Sequence, residues 1–119
     1  MRRVEKPWGF ELVWAETDRY VGKLLHIRAG TRLSLQYHRR KDETMLLQTG
    51  EVDLLLEGPD GVRVTRRLQE GVSVHIAPGR VHRLTAITDA DVIEVSTPEL
   101  DDVVRLADDH GRTPDGDDA

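Results

Sequence analysis

Short runs rich in Val, Leu and Ile recur along the chain, and nearly every one is closed by Gly, Pro or Asp. Runs this short cannot wind enough helical turns to bury a stripe. A strand of the same length can send every second side chain into one core. Candidate strands are 10–15, 20–27, 32–37, 44–49, 51–56, 62–68, 73–76, 81–88 and 92–96, with turns at Thr49-Gly50-Glu51, Gly58-Pro59-Asp60-Gly61, Glu70-Gly71 and Pro78-Gly79. So many strands in so short a chain must form a sandwich or close into a barrel, or they would leave long open edges. Only Glu99 to Asp109 reads as a helix. Leu100, Val103, Val104 and Leu106 would form its apolar face, Pro98, Glu99, Asp101 and Asp102 suit its first turn, and Gly111 would end it.

The 119 residues fit one domain. Residues 1–107, helix included, are expected to form it, and the acidic segment from Asp108 to Ala119 is expected to be a flexible tail. No stretch approaches the roughly 20 apolar residues of a membrane span, and the start MRRVEKPWG lacks the apolar core of a secretory signal, so a cytoplasmic protein is expected. The chain has no cysteine, which excludes disulfides, thiolate metal sites and cysteine nucleophiles together. Any metal must take nitrogen and oxygen ligands. The net charge of −5 comes largely from the tail. Arg39, Arg40 and Lys41 form one short basic cluster without interleaved aromatics, so neither nucleic acid nor membrane is an expected partner.

Gln36 and His38 are two apart within one candidate strand and therefore share a face. Glu43 follows after the polar turn 39–42 and opens the next apolar run, from where a carboxylate can reach back to the strand it left. Read from Gly30, the spacing is five residues to Gln36, one to His38, four to Glu43 and six to Gly50. A second segment runs from Gly71 by seven residues to Gly79 and by two to His82. These segments resemble the two motifs of the cupin superfamily, with Gln36 standing where many cupins have their first ligand His. Ala77 and Pro78 depart from the usual second motif, which has its Pro one place earlier.

The Gln-His-Glu-His set is similar to that of the type II phosphomannose isomerase (mannose-6-phosphate isomerase) cupin domain, found alone or C-terminal to a mannose-1-phosphate guanylyltransferase. Lys6-Pro7-Trp8-Gly9, Lys23, Leu33-Ser34-Leu35-Gln36, Ile93-Glu94-Val95, Asp101 to Leu106 and Gly111-Arg112 carry the rest of the likeness. The resemblance implies an all-β single-domain cupin, a jelly-roll barrel, holding one divalent metal ion through Gln36, His38, Glu43 and His82. Zn²⁺ is the first choice, with Mn²⁺, Fe²⁺, Co²⁺ or Ni²⁺ open to the same donors. It also implies a metal-dependent isomerase of a phosphorylated sugar, mannose 6-phosphate to fructose 6-phosphate or a close relative.

Within that expectation Arg105 is the first choice for a catalytic or substrate-orienting residue. Lys23 and Lys41 could neutralise a phosphate, and Trp8 could cap the pocket. Glu94, an inward carboxylate in an apolar strand, is the candidate base. His26, His75 and His110 read as structural or exposed. The places that in the family hold further His, an Arg and His-Trp are here Arg39, Arg40, Lys41, Thr44 and Met45, so the substrate side differs. A metal-dependent oxygenase and a non-catalytic sugar-binding cupin are the rival expectations. A homodimer is expected, with Trp14 and the strand 20–27 at its interface.

Overall fold

The computed structural model describes residues 1–99, 101–112 and 115–116. It contains twelve strands: β1 (Arg2–Lys6), β2 (Gly9–Glu16), β3 (Val21–Ile27), β4 (Leu35–Tyr37), β5 (Glu43–Thr49), β6 (Val52–Glu57), β7 (Arg63–Arg67), β8 (Ser73–Ile76), β9 (His82–Ala86), β10 (Ala90–Ser96), β11 (Val103–Ala107) and β12 (Asp115–Gly116). They form two six-stranded sheets, β1-β2-β3-β10-β5-β8 and β12-β11-β4-β9-β6-β7. Among the described residues all neighbouring strands run antiparallel, for example β3 with β10 and β6 with β9.

Two-residue alternation fills the space between the sheets, and it changes character along the strands. Starting from one end, β3 buries Ile27 and Leu25 and then Lys23; β10 buries Ala90 and Val92 and then Glu94. In the same direction β5 buries Leu47 and Met45 and then Glu43, and β9 buries Ala86 and Leu84 and then His82. The register puts these switches side by side, Glu94 lying opposite both Lys23 and Met45, and Ser96 opposite Glu43. The interior is thus half apolar and half polar. The apolar half is one cluster that includes Trp8, Leu25, Ile27, Leu47, Leu54 and Val92.

The expected strands all have counterparts, though that of 32–37 is shorter: only 35–37 is extended, and Arg32 makes an isolated bridge to Thr85. β1 was not expected from the sequence. RRVEK has one apolar residue, and it persists as an edge strand because it pairs with β2 over its whole length. β7, all of it exposed, edges the other sheet, and its three arginines oppose edge-to-edge pairing.

The expected C-terminal helix is corrected. Residues 103–107 form strand β11, paired with β4 and β12, and there is no helix among the described residues. Leu100, on the expected apolar face, lies outside those residues. The same spacing also fits a strand, because Val103 and Arg105 point inward while Val104 and Leu106 face outward. Two adjacent β-branched valines favour extended backbone, and β4 would otherwise lack a partner on that side. Beyond β11, Arg32 binds the Asp109 carboxylate through two nitrogens, and Arg112 binds Asp108. Residues 113, 114 and 117–119 of the expected tail lie outside the described set. No described helix is long and apolar enough to cross a membrane.

Candidate metal centre

The two sequence motifs meet at the polar end of the interior. Gln36 on β4 is register-paired with His82, the first residue of β9. His38 follows β4 directly, and Glu43 opens β5 after the turn 39–42. Gly79 lies between β8 and β9 with φ of 82°, a left-handed conformation suited to glycine. Its N–H donates to the His38 carbonyl at 2.7 Å and so seats the second motif against the first. The departure at Ala77 and Pro78 leaves His82 pointing inward.

His82 Nε2 lies 3.2 Å from Glu43 Oε1, and His38 Nε2 lies 3.8 Å from the same oxygen. One donor atom from each of the three residues falls within 4.8 Å of the others, and all three side chains are buried. The outer imidazole nitrogens fix the tautomers. His38 Nδ1 is 2.6 Å from the Asp102 carbonyl, and His82 Nδ1 is 2.9 Å from the Arg80 carbonyl. A carbonyl only accepts, so Nδ1 carries the hydrogen and Nε2 is left to present a lone pair toward Glu43. Burial, the largest influence on His38, pushes its pKa down to about 4, which keeps the ring neutral at pH 7. Burial acts to raise Glu43, but the Lys41 ammonium, together with His82 and His38, outweighs it and holds the carboxyl well below its ordinary range. Two imidazoles that turn Nε2 inward and one ionised carboxylate, convergent and supported from behind, fit a divalent ion.

Charges of alternating sign continue the site across the first sheet. Lys41 Nζ lies 3.1 Å from Glu43 Oε2 and 3.2 Å from Glu94 Oε2. Lys23, register-paired with Glu94, places Nζ 3.4 Å from Glu11 Oε1. Burial pushes Glu94 up to about 7, with the Lys41 ammonium pulling the other way. The basic cluster of the sequence therefore divides: Arg39 and Arg40 are exposed and Lys41 is buried. Its turn is held by Asp102, whose carboxylate accepts the backbone N–H groups of Arg39, Arg40 and Lys41 at 3.2, 2.6 and 2.9 Å.

The other expected residues are dispersed. Arg105 is buried on β11 opposite Gln36, close to the cluster. Trp8 is fully buried in the apolar half, at the other end of the interior from the polar level. His75 faces outward and pairs with Asp42 at 2.6 Å; His26 pairs with Asp91 at 2.7 Å and stacks on Phe10. His110 Nε2 is 3.3 Å from the Arg32 carbonyl. Sequence reasoning missed Glu11, Ser34 and Asp102. Glu11 shares a strand face with Val13, which was its only signal. Ser34 donates its hydroxyl to Gln36 Oε1 and thereby orients that amide. Asp102 was read as part of a helix start.

Two antiparallel sheets closed around a buried His/Glu/His cluster define a cupin. KdgF from Halomonas sp. has the same fold, with a TM-score of 0.72 at 22% identity, covering 86% of this chain and 92% of that one. Oxalate decarboxylase from Bacillus subtilis, with a TM-score of 0.72 at 18% identity, covers 87% of this chain and 29% of that one.

Within the cupins, the chain belongs to the family described as Mannose-6-phosphate isomerase C-terminal, whose profile matches residues 1–108. Mannose-1-phosphate guanylyltransferase of Escherichia coli (strain K12) is 34% identical over 116 residues, 93% of this chain and 23% of that protein. Alginate biosynthesis protein AlgA of Pseudomonas aeruginosa is 30% identical over 115 residues, 92% of this chain and 23% of that protein. The chain thus spans less than a quarter of the length of these relatives.

Proposed function

We propose that the chain is a metal-dependent sugar-phosphate isomerase that interconverts mannose 6-phosphate and fructose 6-phosphate or a close relative. The observation that carries this reading is the convergence of His38, Glu43 and His82 on one buried point, with Glu94 on the same polar level, in a chain of this family. Gln36 completes the ligand set from the strand beside His82. Zn²⁺ suits these donors best, and a bound ion would supply a Lewis acid for the adjacent carbonyl and hydroxyl oxygens of the sugar. Glu94 is the base that takes the proton from the carbon next to the carbonyl and returns it to the neighbouring carbon. Arg105 orients the substrate, and Lys23 offsets its charge.

The test is metal content of protein purified without chelator or affinity metal, together with a mannose 6-phosphate isomerase assay. Near-stoichiometric metal and turnover are expected. Glu94→Gln is expected to keep the metal and slow turnover by about a hundredfold or more, in line with the usual contribution of a general base. Turnover undiminished in that variant would remove Glu94 from the chemistry.

A second reading, a non-catalytic sugar-binding cupin, is favoured by one observation. The space bounded by Gln36, His82 and Glu94 is about 10 Å³, too small for a sugar to reach Glu94 and the imidazoles, so a bound sugar would lie outside the reacting groups. Stoichiometric metal with no turnover and a measurable affinity for the sugar phosphate would select it.

The proposal includes a homodimer. The Trp14 indole lies flat over Gly22, where any Cβ would come within 2.6 Å of the ring. Its other side is open, and with Tyr20 and Val95 it borders an outer groove of about 550 Å³. An apolar face of this kind marks a contact surface. Light scattering is expected to give twice the chain mass, and Trp14→Glu the single mass; a wild type of single mass would dismiss the dimer.

A further inference from the structure

Lys41 occupies the centre of the polar half with none of its side chain exposed. Its ammonium sits between two carboxylates, 3.1 Å from Glu43 Oε2 and 3.2 Å from Glu94 Oε2. The other oxygen of Glu43, Oε1, is the one that faces His82 and His38. A single carboxylate is therefore divided between the imidazole pair and an ammonium. Lys41 is not a loose surface cation that chanced to fold inward. Asp102 accepts its backbone N–H and those of the two residues before it, while the carbonyl of the same Asp102 accepts from His38. One residue of the last part of the chain thus positions both the cation and a candidate ligand.

Two buried carboxylates side by side repel each other and need a positive charge between them. Lys41 supplies it within the chain. A divalent ion held by Glu43 Oε1 would bring further positive charge to a carboxylate that already serves an ammonium, and in a buried site that repulsion is weakly screened.

We infer that Lys41 is a built-in counter-cation of the metal centre, which neutralises Glu43 and Glu94 in the metal-free protein, reserves Glu43 Oε1 for the ion and weakens the ion's binding through the shared carboxylate. The inference rests on the metal-site reading proposed above. It separates Lys41 from an ordinary structural ion pair by the sign of one effect. If Lys41 only held the fold together, its removal would lower stability and leave metal binding equal or weaker. As a counter-cation, its removal lowers the stability of the metal-free protein and makes metal binding tighter, because the divalent ion becomes the cation that the two carboxylates lack.

The experiment measures Zn²⁺ affinity of the full chain by competition with a chromophoric chelator, and the melting temperature with and without Zn²⁺. The proteins are wild type, Lys41→Met, Lys41→Arg and the double variant Lys41→Met/Glu94→Gln. The double variant removes one carboxylate along with the ammonium and so keeps a foldable protein if the single variant fails to fold without metal. Lys41→Met is expected to bind Zn²⁺ roughly tenfold tighter or more, given the strength of charge interactions at this range in a buried site. Its melting temperature should fall without metal and rise further on saturation than that of wild type. Lys41→Arg, which keeps the charge, is expected to stay within about threefold of wild type. Affinities of Lys41→Met and the double variant equal to or weaker than that of wild type would overturn the inference while leaving the metal site standing. Absence of Zn²⁺ binding by wild type would sink both.

Discussion

If the chain is the metal-dependent isomerase proposed above, replacing His82 by Ala is expected to abolish binding of the divalent ion and to lower mannose 6-phosphate turnover by about a thousandfold or more, since a Lewis acid contributes several kcal/mol to such a reaction. Among the described residues three charged or imidazole donors converge here, His38, Glu43 and His82, and the loss of one leaves an incomplete set. The fold should survive the change. His82 contributes one hydrogen bond, to the Arg80 carbonyl, and the apolar cluster does not include it. Elemental analysis and the isomerase assay on the same preparation decide the matter. Full metal content in His82→Ala would mean that other donors hold the ion and that this cluster is not the centre.

Trp8→Ala is expected to produce the largest loss of stability, about 3–5 kcal/mol, as for other fully buried aromatic side chains cut back to methyl. Trp8 has no exposed surface and packs in the apolar cluster with Leu25 and Ile27. Its backbone carbonyl also anchors the chain, accepting the N–H of Arg28 at 2.9 Å and the hydroxyl of Thr31 at 3.3 Å, and those bonds survive the substitution. Trp8→Phe should cost far less. The indole N–H has no partner among the described residues, so no hydrogen bond is lost with it. Denaturant titration of both variants, with Zn²⁺ affinity as a control, checks the result. A small stability change in Trp8→Ala accompanied by a raised KM would instead make Trp8 a substrate contact, the role its place in the N-terminal signature suggests.

The strands were legible because turn chemistry punctuates them. The glycines of Thr49-Gly50-Glu51 and of Pro78-Gly79 both have positive φ, and each ends a run whose side chains alternate in burial. The meeting of His38, Glu43 and His82 was expected from the resemblance to the two cupin motifs, whereas spacing alone gave only the shared face of Gln36 and His38. β11 was misread because Leu100, Val103, Val104 and Leu106 suit both periods, and what decides between them is the vacant side of β4, far away in sequence. The burial of Glu11 on β2 and of Lys41 in its turn was opaque for a related reason. A charged residue at the surface and one in the interior look alike until the partners that neutralise them, here Lys23, Glu43 and Glu94, are brought alongside.

The support of His38 by the carbonyl of Asp102 joins residues 64 positions apart. During synthesis Gln36, His38 and Glu43 leave the ribosome long before the segment that orients them, and Arg105, opposite Gln36, comes later still. β11 must close that long loop before the first-motif imidazole is locked and the turn bearing Lys41 is pinned. The cluster is therefore complete only once β11 has paired with β4. On the metal-centre reading proposed above, a chain whose β11 is still unpaired offers an ion only an unsupported histidine and a tethered carboxylate, so uptake of the metal waits on that one pairing.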